Sequence, residues 1–208
     1  MTLAESSVSS LIEILGPPSA RRRLARGETL FLRGQVATHV FAVDVGRVRL
    51  RRCLADGRTL TLAVAGPQET LAEAALFAEA YHCDAVAEVA SAVWMHPADT
   101  ARARLRADPV ATERFLGRLA AQLRHARGLA EVRAMRRAAD RLFAYLDLLE
   151  VTGSKSPRDR PLTALAAELG LAPETLYRTL RRLRSSGQIA MDRPLRRVGI
   201  DTEPIDDS

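Results

Sequence analysis

The chain has 208 residues, 47% of them hydrophobic, and a formal net charge of +6, which supports a globular protein of one or two domains with buried cores. Its two cysteines, Cys53 and Cys83, are too few for a disulfide scaffold or a four-thiolate cluster and fit a reducing cytoplasm. No apolar run is long enough to span a bilayer, and residues 1–5 lack the basic-then-apolar order of a secretory signal, so neither export nor a membrane partner is expected.

Residues 26–96 read as β-rich. Gly27-Glu28-Thr29-Leu30-Phe31-Leu32-Arg33-Gly34 is a short apolar run between glycines, and residues 40–50 alternate as strands do until Gly46 marks a turn. Asp56-Gly57 is a hairpin signal, residues 59–65 end at Gly66-Pro67, and residues 85–90 and 92–95 supply further short strands. Many short strands at turn spacing predict a jelly roll or barrel. From residue 109 to 135 the pattern becomes that of a long helix. Leu116, Leu119, Leu123, Ala126 and Ala130 follow the three-and-four spacing of a two-stranded coiled coil, and Ala126, Gly128 and Ala130 leave room for a partner helix. The same stripe would also serve packing against the β domain, which one face of the helix must do. A domain boundary near 136–139, a helix over 138–149 and a polar connector, Thr152-Gly153-Ser154-Lys155-Ser156-Pro157, follow.

Residues 165–183 read as two short helices hinged at a glycine. Leu165 and Leu169 share one face, Gly170 suits a left-handed helix end, and Pro173 suits a first helical turn. Leu176, Leu180 and Leu183 repeat at helical spacing and must face inward. The opposite face carries Glu174, Thr175, Tyr177, Arg178, Arg181 and Arg182, the set a helix-turn-helix would present to a major groove. Glu174 and Arg178 are four residues apart; an arginine fork can donate to O6 and N7 of guanine, and a carboxylate can accept from the N4 amino group of cytosine. The bland alternative is an i,i+4 salt bridge on a solvated helix, worth only ~0.2–0.5 kcal/mol. A carboxylate facing a polyanion favours base reading, since phosphates would repel it.

Beyond this motif, residues 189–191 and 197–200 read as two short strands joined by Asp192-Arg193-Pro194, a wing whose Arg193, Arg196 and Arg197 are placed to touch phosphates, ahead of an acidic tail over 201–208. Between Lys155 and Arg197 lie ten basic and four acidic residues, so this segment carries an excess equal to that of the whole chain. A basic excess gathered on a small helical module is the footprint of nucleic-acid binding. A single such module needs a twofold partner to read a full site, which makes the coiled-coil stripe a homodimer seam.

An N-terminal β-roll, a long dimer helix and a C-terminal winged helix, in that order, resemble the Crp/Fnr family of bacterial transcription regulators. The marks are Gly27-Glu28-Thr29-Leu30-Phe31 with Gly34, Gly46-Arg47-Val48, residues 56–62 followed by Gly66-Pro67, Ala72-Glu73-Ala74-Ala75-Leu76-Phe77, and Gly170, Glu174, Thr175 and Arg178 in the helix-turn-helix. The resemblance implies an α+β chain with a β-roll over 1–108, a dimerisation helix over 109–136 and a winged helix over 137–208. It also implies a TGA-like half-site read by Glu174 and Arg178, a phosphate at Thr175, double-stranded DNA and RNA polymerase as partners, and no enzymatic activity.

The effector pocket of the family is altered. Members that bind cyclic AMP carry a Gly-Glu pair and then an Arg-Ser pair that holds the phosphate; here these are Ala72-Glu73 and Cys83-Asp84, and the Thr-Ser that meets the purine is Ala126-Arg127. The phosphate loses its cation and meets Asp84, so cyclic AMP is not expected as effector and no cofactor is expected; Arg127 is the one candidate substitute, against a solvated charge or cross-dimer salt bridge. Glu73, His82, Cys83, Asp84 and Arg127 are the candidate effector-pocket residues. An imidazole, thiol and carboxylate in succession can ligate a metal or answer oxidants. In a strand, however, His82 and Cys83 would face opposite ways, leaving His82 with Asp84 as the only joint pair and a half-buried cysteine beside an exposed histidine as the plain alternative. No metal is expected. A small enzyme built on Glu73, His82 and Asp84 is disfavoured, since the chain has no Gly-rich phosphate loop, nucleophile elbow or paired-histidine helix motif. The alternative is a metal- or redox-responsive sensor regulator using the His82-Cys83-Asp84 region, and after it an adaptor whose winged helix contacts protein.

Overall fold

The computed structural model describes residues 11–151, 162–190 and 196–197, with the backbone alone at Ala190, Arg196 and Arg197. The connector after helix 138–149, the wing's Arg193 and the acidic tail lie outside the described residues. The chain divides into two compact units, Met1–Ala120 and Ala121–Ser208.

The first unit opens with a short helix, α1 (residues 11–15), and continues through β1 (Ala20–Leu24), β2 (Thr29–Phe31), β3 (His39–Val45), β4 (Val48–Cys53), β5 (Thr59–Ala65), β6 (Thr70–Leu71), a 3-10 turn (Glu73–Leu76), β7 (Asp84–Ala87) and β8 (Ser91–Pro97). These form two four-stranded antiparallel sheets, in the orders β1-β8-β3-β6 and β2-β7-β4-β5. Val48 of β4 pairs with Ala87 of β7 and lies with it and Ala85 in one core with Phe31, Val40, Phe41, Val43 and Val93, against which Leu50 packs; β3 is buried on both faces from Val40 to Val43. Helix α2 (Ala98–Ala107) buries Ala98 and Ala101, and the first part of α3 (Pro109–Ala134) adds Phe115 to the same core.

Two elements depart from the sequence expectation. The β region begins at residue 20 rather than 26, because β1 is a run of arginines whose partners are distant: Arg21 lies 2.6 Å from Asp44 with its guanidinium 5.5 Å from the Trp94 ring centroid, and Arg22 reaches Glu28 and the carbonyls of Thr29 and Leu30. The segment before the long helix is itself helical as α2, stopped at Asp108, whose carboxylate accepts from the N–H groups of Val110 and Ala111 and so caps α3.

The second unit contains the later part of α3, then α4 (Ala138–Val151), α5 (Leu162–Leu169), α6 (Pro173–Ser185) and a two-stranded antiparallel ribbon of β9 (Ile189–Ala190) and β10 (Arg196–Arg197). Its core joins Leu129 and Val132 of α3, Leu142, Tyr145, Leu146 and Leu149 of α4, and the inward leucines of α5 and α6. Gly128 has a role other than the one expected: a Cβ built there would stand 2.5 Å from Leu148 Cδ1, so the missing side chain lets α3 approach α4 of the same chain, not a partner helix.

Buried His96 ties β8 to the end of α1, its Nδ1–H donating to the Gly16 carbonyl at 3.0 Å. Burial holds its pKa below the ordinary 6.5, outweighing that hydrogen bond. The unfolded chain therefore binds a proton that the folded one refuses, and stability falls as pH drops below about 6.5. Urea unfolding at pH 7 and at pH 5.5 should show a lower midpoint at the acid pH, and His96→Asn should reduce that difference; an unreduced difference would assign it elsewhere.

Candidate nucleic-acid interface

Helix α5 ends as the sequence predicts, in a Schellman arrangement. Gly170 has φ of 65°, its N–H donates to Ala167 O at 3.2 Å, and Leu171 N–H donates to Ala166 O at 2.8 Å. Pro173 then begins α6, where a missing N–H costs nothing. Leu176, Leu180 and Leu183 are buried, and Thr179 joins them at 6% exposure, so one side of α6 is fixed to the core.

The opposite side is exposed. Glu174, Tyr177, Arg178, Arg181 and Arg182 all face solvent, and Thr175 is half-buried. Glu174 and Arg178 do not pair with each other, and none of Arg178, Arg181, Arg182 and Arg184 pairs with a described carboxylate. Glu174 sits in the first turn, where a carboxylate also offsets the positive end of the helix dipole. The short ribbon after α6 places Arg197 opposite Ile189 and Arg196 opposite Ala190.

Leu116, Leu123, Ala126 and Ala130 lie exposed on α3, with Leu116 and Leu123 at 57% and 51%. Leu119 is half-buried and packs against the core of the first unit, so part of the stripe serves the chain's own packing.

In the β-roll, Ala72 takes a left-handed φ of 64°, retaining a glycine-like backbone despite its methyl group. Glu73 accepts from the Thr70 hydroxyl, and Arg118 of α3, whose pKa is lowered by burial, faces Glu69 and Glu73 while donating to the Gln68 carbonyl at 2.7 Å. Tyr81, His82 and Cys83 precede β7 in a bend, so the strand geometry that would have set His82 and Cys83 on opposite faces does not apply. His82 is nevertheless exposed, and Cys83 is 1% exposed rather than half-buried. Burial pushes the Cys83 thiol pKa up, with Arg52 opposing the rise and Asp84 adding to it.

Asp84 is already engaged. Its Oδ1 accepts from Arg33 N–H at 2.9 Å and its Oδ2 lies 3.7 Å from Arg51 Nε. Arg52 donates through Nη2 to the His82 carbonyl at 3.0 Å. A cyclic phosphate placed here would meet a neutral thiol and a carboxylate, and these residues do not fit one. Phe31 and Tyr81 stack at 3.9 Å between centroids, with the Tyr81 hydroxyl donating to His39 O, so aromatic rings fill the adjoining interior. Arg127 is exposed on α3. Among the described residues no group of three His, Cys, Asp or Glu side chains is placed to hold a metal ion, and no helix is long and apolar enough to cross a membrane.

Sequence reasoning did not single out Arg51 and Arg52, which neighbour the altered pocket positions, nor Arg133, Arg141, Tyr145 and Glu168, which surround the helix-turn-helix turn. Their spacing carries no local signal, since each acts on a partner at least 23 residues away.

Comparison with known proteins finds the same fold. Residues 21–108 match the cyclic nucleotide-binding domain family. The transcriptional regulator LdrP of Thermus thermophilus is 39% identical over 66 residues, 32% of this chain and 34% of LdrP, so the match spans about a third of that curated relative. The crystal structure of TTHB099, a CRP-family transcriptional regulator from Thermus thermophilus, superposes with a TM-score of 0.62 at 29% identity, covering 84% of this chain and 89% of that one. FixK2 from Bradyrhizobium japonicum shares the fold, with a TM-score of 0.68 at 21% identity over 85% of this chain and 90% of its own.

The burial difference between the two thiols is directly measurable. One thiol per native chain, Cys53, should react rapidly with a chromogenic disulfide reagent at pH 8, and Cys83 should react only on denaturation. Two equally fast thiols would reopen an oxidant-responsive role for Cys83.

Proposed function

We propose that this chain, which belongs to the Crp/Fnr family of transcription regulators, acts as a cytoplasmic homodimer that binds duplex DNA sequence-specifically. The supporting observation is the exposed face of α6. Arg21, Arg22, Arg47, Arg49 and Arg51 of the β-roll are matched to carboxylates within the protein, whereas Arg178, Arg181, Arg182 and Arg184 pair with no described carboxylate. Helix-borne guanidinium groups that the protein itself does not neutralise suit a polyanion.

In this reading Glu174 and Arg178 read base edges, while Thr175, Tyr177, Arg181, Arg182 and the wing residues Arg193, Arg196 and Arg197 hold the backbone. The two recognition helices enter successive major grooves about 34 Å apart on a pseudo-palindromic site. Leu116, Leu123, Ala126 and Ala130 supply the exposed part of the dimer seam. RNA polymerase is the further partner such a regulator would meet. Cyclic AMP is not the effector, because the position of its phosphate is held by Cys83 and Asp84, and no catalytic step is assigned to any residue.

The test is a binding titration of the full chain against a duplex selected by the wild-type protein from a random pool. Arg178→Ala should cost ~1–3 kcal/mol, roughly five- to 150-fold in affinity, and relax one base position. Arg196→Ala should weaken all sequences alike and lower the salt slope by about one. Equal weakening of every sequence by Arg178→Ala would remove it from base reading. Sedimentation should find Leu123→Arg shifted toward monomer at micromolar concentration; an unchanged mass would place the seam elsewhere.

A further inference from the structure

The carbonyls that end α5 are the turn of the helix-turn-helix, and they are held by two arginines from outside it. Arg141, in the first turn of α4, donates through Nη1 to Leu169 O at 3.2 Å and Gly170 O at 3.0 Å. Through Nε the same guanidinium donates to Met135 O at 2.7 Å, in the break between α3 and α4. Arg133, in the last turn of α3, donates through Nε to Glu168 O at 2.8 Å. Glu168 is itself 6% exposed, with Oε2 accepting from the Tyr145 hydroxyl of α4 at 3.0 Å. Burial lowers the Arg133 pKa while the Glu168 charge opposes that shift.

The last carbonyls of a helix have no partners within it and carry partial negative charge, so cations satisfy them doubly, by hydrogen bond and by dipole. A capping glycine normally meets part of that need: Gly170 N–H donates to Ala167 O, and Leu171 N–H, brought round by the glycine's turn, to Ala166 O. Carbonyls 168, 169 and 170 depend on Arg133 and Arg141 instead. Because the planar guanidinium of Arg141 bonds backbone on both sides, it cannot keep all its hydrogen bonds if the 135–137 break and the 169–170 turn move apart.

We propose that Arg141, supported by Arg133, is a positioning residue that locks the turn before the recognition helix to the end of the dimer helix, so that a change at the α3–α4 break is passed to α6. The inference rests on the DNA-binding reading for its consequence, but the mechanical coupling can be measured without DNA. Its hydrogen bonds turn Arg141 toward the protein backbone, which distinguishes it from an arginine that meets phosphate.

The experiment compares full-length wild type, Arg141→Ala and Arg141→Lys by amide hydrogen exchange and by titration of the selected duplex at several salt concentrations. In Arg141→Ala, amides of 135–138 and of 169–172 should both exchange at least tenfold faster, while residues 145–149 of α4 keep their protection. Affinity for the duplex should fall at least fivefold with an unchanged salt slope, because no phosphate contact is lost. Lysine has one ammonium in place of the fork, so Arg141→Lys should show a smaller joint loss at both segments; it also decides the matter if the alanine variant fails to fold. Faster exchange at one segment only would overturn the coupling, and a reduced salt slope would make Arg141 a phosphate contact. If the wild type selects no duplex, the DNA-binding reading fails, yet the paired exchange result still decides the coupling.

Discussion

Helix α3 buries apolar side chains in each unit of the chain and still leaves Leu116 and Leu123 more than half exposed. Its Ala111 and Phe115 are buried in the first unit, and its Leu129 and Val132 in the second. Leu116 and Leu123 belong to neither core. At ~0.8 kcal/mol for each CH₂ group removed from water, two leucines left more than half exposed forgo a stabilisation that a second helix would recover. The heptad step from Leu116 to Leu123 to Ala130 is the spacing that such a helix would match, and Ala130 would let it come close. Gly128, which reads in the sequence as part of the same invitation, is instead spent on Leu148 of the same chain. The close packing of Gly128 against Leu148 and the exposed stripe of Leu116 and Leu123 thus use different positions of one helix.

Electrostatics divide the chain in a complementary way. The β-roll is rich in arginine, and several of its guanidinium groups lie beside carboxylates: Arg47 and Arg49 share Glu88, and Arg51 faces Asp84. That pairing consumes Asp84 and leaves the neighbouring thiol of Cys83 buried and neutral. An acidic residue that reads in the sequence as repulsive toward an anion is, in three dimensions, half of an ion pair. Arg52, the cation whose charge acts on Cys83, is itself committed to the His82 carbonyl. On α6 the balance is reversed, since positive charge there meets no described counterion.

Local signals carried much of the architecture. Period-two runs bounded by Gly46, Asp56-Gly57 and Gly66-Pro67 located most strands, and Gly170 with Pro173 located the helix-turn-helix, because each of these features acts on neighbours within a few residues. β1 was not legible, since Arg21 and Arg22 look solvated until Asp44, Trp94 and Glu28 are brought alongside. Helix α2 was hidden by its charge and by the proline that follows it, which reads as a stop with no helix before it. Residues 82–83 form a bend rather than strand, so the near-complete burial of Cys83 does not follow from alternation. At the interface, the exposed residues of α6 could be named from period alone, whereas Arg133 and Arg141 could not, for their acceptors are backbone carbonyls that carry no residue identity.

Those two arginines give the recognition surface its second requirement. Helix α6 is anchored by Leu176, Leu180 and Leu183, with Thr179 beside them, and apolar contacts of this kind are non-directional and tolerate small rotations. Hydrogen bonds to the 168–170 carbonyls are directional, and they originate on α3 and α4. The hydrophobic core therefore fixes which side of α6 is turned outward, and the guanidinium contacts fix the angle of the turn that delivers it. A constraint placed on the end of α3 would reach the start of α6 through that second set of contacts as well as through the shared core.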